Sequence, residues 1–104
     1  SKVITIKGAT KIEFVSIADI VYLEAGFSYT DLILQSGKVI TATKPLNRFE
    51  KILEDHSFFK ISKSHIVNMD AVISFRKDTN KIILEGDVVL DVARRRRVEF
   101  LREL

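Results

Sequence analysis

The sequence predicts a mainly-β domain, an elongated antiparallel arrangement of small sheets with one short mid-chain helix and a C-terminal helix. Three observations carry this. Short apolar or alternating runs recur along the chain, tight-turn residues separate them, and only two longer stretches have a helical period. Strands that follow one another across tight turns form hairpins, not βαβ units, so the sheets are antiparallel.

Val3-Ile4-Thr5-Ile6 and Lys11-Ile12-Glu13-Phe14 flank Gly8-Ala9-Thr10 and read as a first hairpin. Ser16-Ile17-Ala18-Asp19 is a short helical turn, and Ile20 to Glu24 is a β-rich run closed by Ala25-Gly26. Tyr29 to Gln35 pairs with Lys38 to Thr43 across Ser36-Gly37; Leu32 and Leu34 share one face, and Val39 and Thr41 alternate against Ile40 and Ala42. Leu46, Phe49, Ile52 and Leu53 then recur at helical spacing behind Pro45, giving a helix of roughly ten residues that ends before Asp55. Phe58 to Ile61 resumes extended structure. Ala71 to Phe75, Lys81 to Glu85 and Val88 to Val92 are three further strands, joined through Asp78-Thr79-Asn80 and Gly86-Asp87. From Arg94 onward, Val98, Leu101 and Leu104 stand three apart beside Phe100 and predict a terminal helix.

At 104 residues the chain is one domain with one hydrophobic core, residues 1–104, of the kind carried within a longer protein. It has no cysteine, which excludes disulfide frameworks, thiolate nucleophiles and Cys-based zinc sites and fits a reducing compartment. No apolar run reaches the ~18–20 residues of a membrane span, so a cytoplasmic protein without membrane contact is expected. Seventeen Lys and Arg stand against fourteen Asp and Glu, a net charge of +3. Arg94 to Leu104 holds five Arg and two Glu, so that this stretch carries the whole excess and the rest of the chain balances.

Catalytic signals are poor. The histidines are His56 and His65, and a Ser62 or Ser64, His65 and Asp70 constellation lacks the G-x-S-x-G elbow. In an extended segment neighbouring side chains point to opposite faces, so Ser64 and His65 are expected not to meet. Two His without Cys and without a third ligand at suitable spacing make no zinc site, and neither phosphate-binding glycine motif occurs. The expectation is a non-enzyme with no cofactor and no metal.

Three regions instead carry binding chemistry. Arg94-Arg95-Arg96-Arg97 sets four guanidiniums side by side, which repel one another unless an anion meets them and which suit phosphates and guanine edges. Against this stands a solvated helix face, or Arg stems lying over the core. Lys60-Ile61-Ser62-Lys63-Ser64-His65 presents the residue types that contact phosphates and bases, weighed against a plain polar loop. Gly26-Phe27-Ser28-Tyr29-Thr30 places hydroxyls and aromatics at a turn, where hairpin packing explains them equally well.

The order of these signals resembles the LytTR-type DNA-binding domain of bacterial response regulators over nearly the whole chain. Asp19-Ile20-Val21-Tyr22-Leu23-Glu24-Ala25 with Tyr29 is similar to one block of that family, and Pro45-Leu46-Asn47-Arg48-Phe49-Glu50 to a second. The most specific block runs from Phe58 to Asn68 through Lys60, Ser62, Lys63 and Ser64, and Val92-Ala93-Arg94-Arg95 supplies the fourth. The resemblance implies three small stacked sheets that read double-stranded DNA through loops in successive major grooves, in transcription regulation under a two-component system. It implies Tyr29 and Thr30 as contacts in the first loop, Ser62, Lys63 and Ser64 with Lys60 in the second, and Arg94 reading a base in the third. Arg95, Arg96 and Arg97 are then phosphate contacts, and Asn68 is a structural brace for the second loop. It also implies a receiver domain in the full-length chain and two copies on repeated half-sites; the isolated domain is expected to be a monomer, because strand and helix faces account for its apolar positions. Ser62 stands where the family usually has His, Lys63 where Arg or Asn is common, and Asp31 puts a negative charge beside a proposed contact. The rival reading is a small β-barrel RNA or single-strand binder, for which Phe27 and Tyr29 are the stacking candidates. A sensor of the PilZ kind lacks room for its strand motif after Arg97, and a module that docks an acidic partner on its basic end is the remaining rival.

Overall fold

The computed structural model describes residues 2–104. Ten strands form three antiparallel sheets. β1 (Val3–Lys7) and β2 (Ile12–Ser16) make a hairpin, and a 3-10 turn at Ile17–Asp19 leads into β3 (Ile20–Ala25). β4 (Thr30–Leu34) and β5 (Val39–Ala42) follow, then helix α1 (Leu46–Ile52), β6 (Phe58–Ser62) and β7 (His65–Asn68). A second 3-10 turn, Met69–Ala71, opens the final sheet of β8 (Val72–Arg76), β9 (Lys81–Leu84) and β10 (Val88–Asp91). The chain closes with a 3-10 turn at Arg94–Arg96 running into helix α2 (Arg97–Arg102).

The central layer is a five-stranded sheet in the order β5-β4-β3-β7-β6, with an apolar cluster on each face. On one side Ile20, Leu23, Leu32, Ile40 and Ile66 pack with Ile6 and Val15 of the hairpin and with Leu46, Phe49 and Leu53 from α1 and its C-terminal end. On the other, Val21, Phe59, Ile61 and Val67 meet Ile82 and Leu84 of the three-stranded sheet and Phe100 of α2. Burial on both faces explains why β3 reads as a continuous apolar run instead of an alternating one. A register shift between Ile20 and Tyr22 puts one extra residue on β3, which lets Ile20 and Leu23, three apart, serve the same cluster. Two cores in one short chain, where one was expected, follow from this three-layer stack, and the molecule is elongated at 45 × 25 × 23 Å.

Three expectations about elements change. β7 was not expected, because its pairing with β3, Tyr22 opposite Val67, joins residues far apart in sequence. α1 has seven residues, not ten: the chain leaves the helix at Leu53 and turns through Ser57 at a positive φ of 58°, which brings Phe58 into β6. In α2 the buried residue is Phe100, 5.8 Å from the ring of Phe59 and 5.2 Å from that of Phe75, while Val98 and Leu104 face solvent. Among the described residues no sheet closes into a barrel, the architecture on which the rival single-strand reading rested.

Candidate nucleic-acid interface

Three loops meet through backbone hydrogen bonds. The first, between β3 and β4, is a turn closed by Gly26 N–H donating to Tyr29 O at 2.8 Å. Tyr29 lays its ring against Gly26, where a Cβ would push the ring aside. The turn leaves Phe27 fully exposed and Tyr29 39% exposed. The second loop is the Lys63-Ser64 turn between β6 and β7. The third is the junction from β10 through Ala93 to Arg94. Ala25 N–H donates to Ser64 O at 2.8 Å, tying the first loop to the second, and Ala93 N–H donates to Ile61 O at 2.9 Å, tying the third to β6 just ahead of the second.

The side chains divide into free and engaged groups. Lys63, Arg94 and Arg95 are exposed and have no ion-pair partner among the described residues. Lys60 is one quarter exposed and its Nζ lies 3.9 Å from Glu50 Oε1, so its charge is already partly answered by α1. A shallow groove joins Phe27 and Tyr29 to Asn47, Lys60 and Lys63, and a second runs from Lys60 and Ser62 to Arg95.

Thr30 is corrected. It is completely buried, and its Oγ1 donates to Lys44 O at 2.7 Å, so the hydroxyl holds the chain after β5 in place and is closed to any ligand. Arg96 and Arg97, expected on phosphates, are engaged within the protein. Arg96 stacks its guanidinium 4.7 Å over the Phe59 ring, donates from Nε to Lys60 O at 2.9 Å, and pairs with Glu99 at 3.2 Å. Arg97 lies 5.3 Å over Phe75 and donates to Lys77 O at 3.0 Å and to Asn80 Oδ1. The two arginines clamp α2 to β6 and to the β8–β9 turn. Asn68 is buried; its Nδ2 donates to Ile20 O at 2.9 Å and its Oδ1 accepts from Asp70 N–H at 2.9 Å. It therefore ties the far end of β7 to the start of β3, away from the Lys63-Ser64 turn.

Ser64 and His65 do meet, against expectation, because the Lys63-Ser64 turn breaks the strand alternation. Ser64 Oγ lies 3.1 Å from His65 Nδ1 and Ser62 Oγ 3.4 Å from it, while His65 Nε2 is 3.2 Å from Glu24 Oε2. Glu24 stands opposite His65 on one side and opposite Asp31 on the other, a like-charge cross-strand pair that costs stability. Thr41 Oγ1 donates to Asp31 at 2.6 Å and offsets part of that cost. Burial, with Glu24 and Asp31 close by, pushes the Tyr22 hydroxyl above its ordinary pKa. The sequence paired Ser62 or Ser64 with His65 but looked to Asp70 for the carboxylate; cross-strand register instead brings Glu24 to the imidazole.

Among the described residues no helix is long and apolar enough to cross a membrane. A search among curated proteins found no match for this sequence. A solved LytTr DNA-binding domain from Bacillus cereus superimposes with a TM-score of 0.83 at 23% identity, covering 99% of this chain and 96% of the other, and has the same fold. The family model for the LytTr DNA-binding domain matches residues 10–104, from the loop before β2 through the whole of α2, and so takes in all three loops. With the stacked-sheet architecture and that match over most of its length, the chain belongs to the LytTR family of DNA-binding domains.

Proposed function

We propose that the chain binds double-stranded DNA in a sequence-dependent manner, as the cytoplasmic output domain of a two-component response regulator. The observation that carries this reading is the pair of backbone bonds, Ala25 to Ser64 and Ala93 to Ile61, that hold the three loops as one surface with Lys63, Arg94 and Arg95 unpaired on it. Rigid loops make preorganised readers, since little ordering entropy is lost on binding. Tyr29, Lys63 and Arg94 reach base edges, and Arg95 anchors a phosphate. The solved Bacillus cereus relative, assigned to a methyl-accepting/DNA response regulator, supports a receiver domain in the full-length protein. A surface of three loops covers about one turn of duplex, so two monomers occupy repeated half-sites one or two helical turns apart. The domain acts by binding and performs no catalysis, in keeping with the DNA-binding role of its family.

A mobility-shift series with genomic duplexes from upstream of the protein's own gene neighbourhood tests the reading. A discrete complex at nanomolar protein that survives competitor DNA is expected. Equal affinity for every fragment, or binding to single strands alone, overturns it.

A further inference from the structure

We propose that His65, fixed by Glu24, sets the hydrogen-bonding polarity of the Ser64 hydroxyl and thereby decides which base edges the Lys63-Ser64 turn reads. The proposal rests on the duplex-binding function above and specifies the chemistry that this site recognises.

A carboxylate only accepts hydrogen bonds, so Glu24 Oε2 at 3.2 Å calls for the imidazole proton on Nε2. Neutral His65 then carries a bare lone pair at Nδ1, and Ser64 Oγ at 3.1 Å is the nearer of two hydroxyls that can donate to it, with Ser62 Oγ at 3.4 Å. A hydroxyl that has spent its only proton inward offers only lone pairs outward. In this state Ser64 presents an acceptor, suited to the amino groups of adenine N6 and cytosine N4 in the major groove. When His65 gains a second proton, Nδ1–H becomes a donor, Ser64 Oγ accepts, and its O–H turns outward. The same hydroxyl then suits guanine N7 and O6, thymine O4 or a phosphate oxygen.

The turn itself stays put through this change, because Ser64 N–H donates to Ser62 Oγ and Ser64 O accepts from Ala25 N–H, neither of which uses the imidazole. The charged and titratable groups around His65 come from four elements. β3 supplies Glu24 and Tyr22, whose ring centroid is 6.1 Å from that of His65. β4 supplies Asp31 opposite Glu24, and the turn itself supplies Lys63. β10 supplies Asp91 across a cleft shared with Ser62 and Ser64, where it is bound to Lys81 at 2.6 Å. Of these residue types, imidazole alone ordinarily changes charge between about pH 5 and 8. His65 is thus a positioning residue whose protonation state reaches the DNA through a serine.

Selection from a randomised duplex DNA pool at about pH 8 and about pH 5.5, with the base preferences of the two enriched motifs compared, tests this. At the base pair read by the turn, preference for an amino-bearing edge at the higher pH is expected to shift about three- to tenfold toward an acceptor edge at the lower. His65→Phe, checked by far-UV circular dichroism, should abolish the shift. Glu24→Gln, whose amide can donate or accept, should flatten the preference at the higher pH. An enriched motif identical at both pH values, or a shift that persists in His65→Phe, overturns the proposal and leaves the DNA-binding function intact. Enrichment of no motif at either pH overturns the function itself.

Discussion

Replacing Arg96 with alanine should destabilise the fold far more than it weakens any charge-driven contact with DNA. Arg96 donates from a charged guanidinium to the Lys60 carbonyl at 2.9 Å, a bond worth about 1.5 kcal/mol. Stacking over Phe59 at 4.7 Å adds roughly 0.5 kcal/mol at this partly exposed position, and the Glu99 pair a few tenths. With solvent screening the group contributes about 2 kcal/mol, which for a domain of this size lowers Tm by roughly 8–12 °C. Arg95 one position earlier is exposed and touches none of these partners, so Arg95→Ala should leave stability within about 0.5 kcal/mol. Its loss should instead weaken binding to all duplexes alike and reduce the salt slope by about one. Urea unfolding and thermal melts, run beside fluorescence anisotropy on a specific and a random duplex, separate the two variants. An Arg96→Ala protein with an unchanged midpoint and a loss of affinity matching that of Arg95→Ala would falsify the clamp and return Arg96 to the phosphates.

The other expectations follow from the same division of groups. With Arg96 and Arg97 engaged internally, Arg95 on a phosphate and Lys63 and Arg94 on base edges, log K against log salt should fall with a slope between about −1 and −3; a slope beyond about −5 means the clamped arginines also release counterions. Arg94→Ala should cost ~1–3 kcal/mol of discrimination at one base pair and spare non-specific binding, as competition titrations with single-base operator variants can measure. Thr30→Val keeps the shape but orphans the Lys44 carbonyl, so it should lose about 1–2 kcal/mol in urea unfolding with DNA affinity intact; weakened binding at unchanged stability would place Thr30 at the interface after all. No ester, phosphodiester or nucleotide hydrolysis is expected with or without divalent metal, and activity that copurifies and vanishes in His65→Ala contradicts this.

Local chemistry was legible in the sequence, as the hairpins show. Gly8-Ala9-Thr10 and Ser36-Gly37 each sit between strands that pair in simple antiparallel register, and the alternation of Ile40 and Ala42 against Val39 and Thr41 matches the buried and exposed faces of β5. Turn residues and a two-residue period are properties of a few neighbours, and nothing distant overrode them. The family blocks were legible for the same reason, since they fall in the segments that form β3, α1, the β6–β7 hairpin and the start of the terminal helix. The α2 stripe was misread because its three-residue spacing fits Val98, Leu101 and Leu104 as well as any other face. Phe59 and Phe75, distant in the chain, select Phe100.

By itself, then, the sequence determined the strand and turn order, the concentration of positive charge after Arg94, and the absence of thiol chemistry. Each of these is written in residue type and short-range spacing. Tertiary structure alone decided what individual side chains do. Four adjacent arginines look equivalent along the chain, yet rotation about the helix axis sends Arg96 over Phe59 and Arg97 over Phe75 while Arg95 stays in solvent. Glu24 and His65 are forty-one positions apart and become neighbours only because β7 inserts beside β3. Such pairings depend on which strands share a sheet and in what register, and burial of two apolar faces sets that register.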